Sequence, residues 1–172
     1  MNKPIINLDE VPLEPRPPAF APTGKAADLY QARIAMIGQR LGARKLGYNV
    51  TALPPGQRAF PFHCHHGNEE MFFVLEGEGE LRYGDAVHPI RKGDFICCPV
   101  GGPETAHQIV NNSQGELRYL SISTMDSPEV CEYPDSGKLA VYARHEAKGD
   151  APSAFFRFVG RKDAQVGYWE DE

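Results

Sequence analysis

The sequence predicts an all-β domain, a barrel or sandwich of short strands, preceded by an extended proline-rich arm. Three observations carry this reading. From about residue 45, short β-rich runs recur, each closed by Gly, Asn, Asp or Pro. No stretch between residues 45 and 142 shows a convincing helical pattern. The chain holds 17 glycines and 15 prolines, where average usage gives about 20 of the two together. Turn formers in that excess suit many short strands better than a bundle of helices.

The elements follow in order. Residues 1–28 read as an arm. Six prolines, Pro4, Pro12, Pro15, Pro17, Pro18 and Pro22, fall within it. Proline fixes φ and removes a donor, so this segment is extended and excluded from a central strand; a sheet edge of this or another subunit is its natural place. Residues 29–41 carry two patterns: Tyr30, Ile34, Ile37 and Leu41 fit a helix, Ile34 and Met36 fit a strand. The strand-like runs are then KLGYNVTAL, RAFPFHCH, MFFVLE, ELRY, AVHPI, FICCP, AHQIV and LRYLSI. Gly77, Gly84, Gly93 and Gly101 punctuate them as turn residues. Residues 29–143 are read as the barrel and 144–172 as a C-terminal extension packed on it, with AFFRFV as a further strand.

Composition narrows the function. At 172 residues one domain is the default, and folding at that length buries about 70% of the chain's surface. The formal net charge is −5 and no basic stripe is visible, which argues against nucleic acid as a partner. No apolar run is long enough to span a membrane. The segment MNKPIINLDEVPLEP lacks the apolar core of a secretory signal. Cys64, Cys97, Cys98 and Cys131 form no CxxC, so free thiols in a reducing cytoplasm are the expectation.

The chemistry concentrates in FHCHHGNEE. On a strand, His63 and His65 project from the same face. A turn over His66–Glu69 brings the next strand back beside them, with Glu70 at its start. His107, which opens HQIV, is the obvious fourth donor. Three imidazoles and a carboxylate suit a borderline divalent metal such as Zn, Fe, Ni, Co or Mn. Cys64, between the two histidines, faces the other way into packing. His66 reads as a solvated loop residue, and His88 and His145 receive no role.

These residues resemble the two motifs of the cupin superfamily. The first is His63-x-His65, four residues, Glu70, six residues, Gly77. The second is Gly93, five residues, Pro99-x-Gly101, then His107, three residues, Asn111. The resemblance covers roughly residues 45–125. It implies a double-stranded β-helix barrel, often dimeric, with one divalent metal held by His63, His65, Glu70 and His107. The spacing to Gly77 selects Glu70 over its neighbour Glu69. Two departures fall in loops: six residues separate Gly56 from His63 where five are usual, and five residues, Gly102–Ala106, stand before His107 where two are usual. The body also resembles small single-domain cupins labelled sugar-phosphate-isomerase-like.

Parity places Phe72 and Val74 inward with Glu70, and Ile109 inward with His107. No Arg or Lys is certain to face inward; Arg58, Arg82 and Arg118 do so only if the parity differs. The thiols of Cys97 and Cys98 sit on adjacent positions, so at most one faces the interior. Asn111 reads as a hydrogen-bonding residue at a strand end. Tyr119, Glu69 and Glu104 are the candidates for proton transfer. The functional expectation is a metal-dependent enzyme on a small organic molecule, of dioxygenase, isomerase or decarboxylase type. The alternative is a metal-dependent binding or sensing module without turnover. A homodimer is the expected assembly.

Overall fold

The computed structural model describes residues 3–145 and 154–172. The chain runs through β1 (Glu14–Pro15), β2 (Arg33–Met36), α1 (Ile37–Leu41), β3 (Leu46–Leu53), β4 (Cys64–His65), β5 (Glu70–Glu76) and β6 (Glu78–Tyr83). It continues through β7 (Ala86–Arg91), β8 (Phe95–Cys98), β9 (His107–Val110), β10 (Leu117–Thr124), β11 (Glu129–Tyr133), β12 (Lys138–His145) and β13 (Ala154–Arg161). Among the described residues α1 is the only α-helix, and it is five residues long. Part of the expected C-terminal extension, residues 146–153, lies outside the described residues.

Three antiparallel sheets build the body. One has the order β1-β2-β3-β10-β5-β8, a second β13-β12-β11-β4, and a third β7-β6-β9. A bridge between His63 and His107 joins the second sheet to the third at the point where β4 and β9 begin. Side chains from the six-stranded and three-stranded sheets meet in one core: Leu53, Phe72, Val74, Leu117 and Tyr119 face Leu81, Ile90 and Ile109. The strands therefore close around an interior, and alternate residues of β5 and β10 fill it.

The arm has a packing reason for its place. Glu14 and Pro15 pair with Ile34 and Arg33 at the edge of the six-stranded sheet. Val11 is buried against Ala35 and Val50, with Ile6, Leu13, Leu75 and Leu120 around them. These residues lie on the outer face of the sheet, opposite the interior side chains of the same strands. The arm covers apolar surface that the barrel leaves outside.

Both patterns in residues 29–41 are realised. Ile34 and Met36 lie in β2, and a single helical turn follows from Ile37. Gly42, in the left-handed conformation with φ 75°, ends that turn. RAFPFHCH departs from expectation. Only Cys64–His65 is a strand, and Arg58 and His63 make isolated bridges. Pro61 within this run, and Pro54 and Pro55 just before it, leave the segment short of ladder donors. AFFRFV does form a strand, β13, paired along its length with β12.

Gly77 sits where only glycine fits. Its φ is 83°, and an added Cβ would lie 2.4 Å from the Glu116 carbonyl oxygen. That close approach lets β5 turn straight into β6 while the strand of Tyr119 runs alongside.

Candidate metal centre

His63, His65, Glu70 and His107 come together at one end of the interior. Their ligand-capable atoms all lie within 4.8 Å of one another. Three Nε2 atoms converge on the same Glu70 oxygen, Oε2: His107 at 3.0 Å, His65 at 3.3 Å and His63 at 3.7 Å. Backbone geometry makes this convergence. His63 and His107 exchange both backbone hydrogen bonds, 2.8 and 3.2 Å. Residue 65 pairs with Cys131 across β4 and β11, and Glu70 opens β5 opposite Cys98.

The other ring nitrogens are oriented. The Nδ1 of His63 donates to the Pro61 carbonyl at 2.8 Å, and the Nδ1 of His107 donates to the Thr105 carbonyl at 3.2 Å. A carbonyl is acceptor only, so each ring holds a proton on Nδ1 and turns Nε2 to the cluster, where that of His107 makes its hydrogen bond with Glu70 Oε2 and would ligate a bound cation. The Gly102–Ala106 insert thus does more than border the site: its Thr105 carbonyl sets the tautomer of His107. The Nδ1 of His65 faces Cys131 Sγ at 3.4 Å and Glu129 Oε1 at 3.6 Å.

Burial lowers the pKa of His63, which favours the neutral ring that ligates metals; the Glu70 contact opposes this only in part. Burial alone raises the Glu70 pKa, but contacts from His107, His63 and His65 outweigh it and hold the carboxyl well below the usual range. For His65, burial lowers the pKa, yet Cys131, Glu129 and Glu70 push it up to about 12. A proton held there is what a bound cation replaces, since ligation requires the neutral ring.

The residues fit a metal ion. Among the described residues, His65 Nε2 is buried with no hydrogen-bond partner, because its approach to Glu70 Oε2 misses hydrogen-bond geometry. Buried nitrogen without a partner costs about 1–3 kcal/mol, and a cation would satisfy it. The donor set of three imidazoles and one carboxylate matches borderline divalent transition metals.

Two cavities meet at the cluster. The larger, about 370 Å³, is bounded by His65 and Glu70 together with Asn68, Glu129, Tyr142 and Arg144. The smaller, about 60 Å³, reaches into the barrel between His63, Glu70, His107, Phe72 and Tyr119. Tyr119 is 1% exposed and stands edge-on to Phe72. Burial raises the pKa of its hydroxyl, which stays protonated.

Glu69 and Glu104 stand elsewhere. Glu69 is exposed, and its backbone is tied to Thr124. Adjacent residues on a strand face opposite ways, so Glu70 enters the cluster as Glu69 leaves it. Glu104 is exposed and folds back to accept the Gly102 N–H at 2.8 Å. Neither borders the two cavities. His66 has a partner after all, Glu132 Oε2 at 3.3 Å. Cys64 is fully buried with Phe62 and Ala106 on the outer side, and Cys98 is buried while Cys97 is exposed. Arg82 pairs with Asp135, and Arg118 with Glu116. The cation that borders the larger cavity is Arg144, on β12, and Glu129, on β11, is the acid beside His65. Neither had a sequence signal beyond period-two alternation in EVCEY, which puts Glu129 on the same face as Cys131.

Fold and cluster together define a double-stranded β-helix with a histidine–carboxylate site. Residues 49–123 match the family described as the cupin domain, and this match together with the solved structures supports a cupin-superfamily protein. A solved sugar phosphate isomerase of the cupin superfamily from Silicibacter pomeroyi is similar to 94% of this chain and 94% of its own, with a TM-score of 0.73 and 25% identity. The polyketide cyclase of Streptomyces resistomycificus shares the fold, with a TM-score of 0.57 at 20% identity over 88% of this chain and 90% of its own. The oxalate-binding protein of Thermotoga maritima is 33% identical over 70 residues, 41% of this chain. The match spans about half the length of the curated relatives, 54%. Among the described residues no helix is long and apolar enough to cross a membrane.

Proposed function

We propose that His63, His65, Glu70 and His107 hold one divalent transition metal, and that the protein is a metal-dependent enzyme acting on a small organic molecule. The observation that carries this is the convergence of three Nε2 atoms on one carboxylate oxygen where the 370 Å³ cavity opens. An ion held by these four side chains would have room for substrate beside them and would supply Lewis-acid or redox chemistry. Iron suits a dioxygenase; Mn, Ni or Zn suits an isomerase or decarboxylase. The chain's own part is to bind and orient. Arg144 offers a cation to an anionic group at the cavity wall, and the protonated Tyr119 hydroxyl offers a donor on the barrel side. Apolar neighbours Phe72 and Ile109 keep bulk water from the inner cavity.

A second reading is a binding or sensing module. It is favoured by the engaged state of the cavity's acids: Glu70 faces three rings, and Glu129 is taken by His65, Asn68 and Gly67. The similarity to an oxalate-binding protein points the same way. A homodimer in the cytoplasm remains part of the proposal. Turnover separates the two readings. Metal-loaded protein is incubated with catechols, thiols, keto acids and sugar phosphates, while oxygen uptake and product formation are followed. The enzyme reading expects conversion that disappears with chelator. A compound that binds through the metal and returns unchanged, with no conversion across the panel, contradicts it and supports the sensor.

A further inference from the structure

We infer that Glu129 is a positioning residue for the metal site: its carboxylate acts on the Nδ1 side of His65 and raises that ligand's donor strength through charge. The inference rests on the metal-centre reading above. His63 and His107 give their Nδ1 protons to neutral backbone carbonyls. His65 alone faces an acid, Glu129 Oε1 at 3.6 Å. When Nε2 ligates a cation, the ring proton must sit on Nδ1, and a carboxylate there makes the imidazole a stronger ligand.

The acid is clamped in place. Glu129 is 7% exposed. Its Oε2 accepts from Asn68 Nδ2, and its Oε1 accepts from the Gly67 N–H at 3.4 Å. Asn68 is itself fully used: its Nδ2 also donates to the Asp126 carbonyl at 3.1 Å, and its Oδ1 accepts from Thr124 Oγ1 at 2.8 Å and the Asp126 N–H at 2.7 Å. Two acceptors on one side and two donors on the other fix which way the amide points. A network whose members are all satisfied holds one geometry. Cys131 Sγ lies nearer to Nδ1, at 3.4 Å, but sulfur is a weak acceptor, and the carboxylate is the charge placed on this side of the ring.

Charge and shape separate cleanly in variants. Glu129→Gln keeps the volume and loses the charge; Glu129→Asp keeps the charge and shortens the reach. The dissociation constant for Zn²⁺ is measured by chelator competition on the full chain. Glu129→Gln is expected to weaken binding about 10–100-fold, with Glu129→Asp retaining more affinity than Glu129→Gln. A purely steric role predicts the reverse order, because Gln keeps the length that Asp loses. Glu132→Gln, on the same strand but paired with His66 and Lys162, leaves the affinity unchanged. If Glu129→Gln does not fold, Asn68→Ala frees the clamped acid and gives a smaller loss in the same direction. Unchanged affinity in every folded variant, or loss only in Cys131→Ala, overturns the inference while the metal site stands. Wild-type protein that takes up no zinc overturns both.

Discussion

The double variant His63→Ala/His65→Ala is expected to emerge from purification with metal at background level, where the wild type carries about one ion per chain. Two of four ligands are lost. A single outer partner of a metal-bound histidine is worth about 10–100-fold in affinity, so removing two ligands directly costs on the order of 10⁴-fold or more. The barrel should survive. His63 is joined to His107 through backbone atoms in both directions, and β4 pairs with β11 through Cys64 and His65 backbone groups. Alanine keeps all of these. Elemental analysis beside a far-ultraviolet circular dichroism spectrum checks both halves: metal absent, strand signal unchanged. Full metal content in the variant would show that the ion binds elsewhere.

The second large effect is on stability. Asn111→Leu is expected to destabilise the fold by about 3 kcal/mol, lowering Tm by roughly 6–12 °C for a chain of this size. Asn111 is completely buried. Its Nδ2 donates to the carbonyls of Leu53 and Gly115, both at 2.7 Å, and its Oδ1 accepts from the Ser113 N–H at 3.0 Å and Ser113 Oγ at 2.8 Å. Leucine has similar volume and none of these bonds. It leaves polar groups facing a side chain that cannot answer them, and it frees the loop between β9 and β10. Because β10 is the central strand between β3 and β5, loosening its entry is felt across the largest sheet. Thermal unfolding with metal removed from both proteins isolates this effect from ligand stabilisation. A Tm within 2 °C of wild type would contradict it.

Much of the site was legible because it obeys local rules. Alternation along β5 places Glu70, Phe72 and Val74 on one face, and the same rule assigns Cys64 to the outside. Asn111 was legible as a hydrogen-bonding residue at a strand end, though not its four bonds. What stayed hidden is non-local. Glu129 reaches His65 only because β11 pairs with the two-residue β4, a contact across 64 residues that no short pattern encodes. Arg144 borders the larger cavity for the same reason, carried in by the β11–β12 hairpin. The proline count announces an extended arm. It cannot say that Val11 lands on Ala35 and Val50, since that depends on sheet surface assembled from other strands. Residues 29–41 carried two periods because they hold two elements end to end, too short for either to dominate.

Anomalous diffraction at the metal edge, from crystals of the as-isolated or metal-reloaded protein, tests the central claim most directly. The account predicts one peak per chain, about 2.0–2.2 Å from the Nε2 atoms of His63, His65 and His107 and from a Glu70 carboxylate oxygen. A peak at the outer cluster of Cys64, His66 and Glu132, or no peak after reloading, would contradict it.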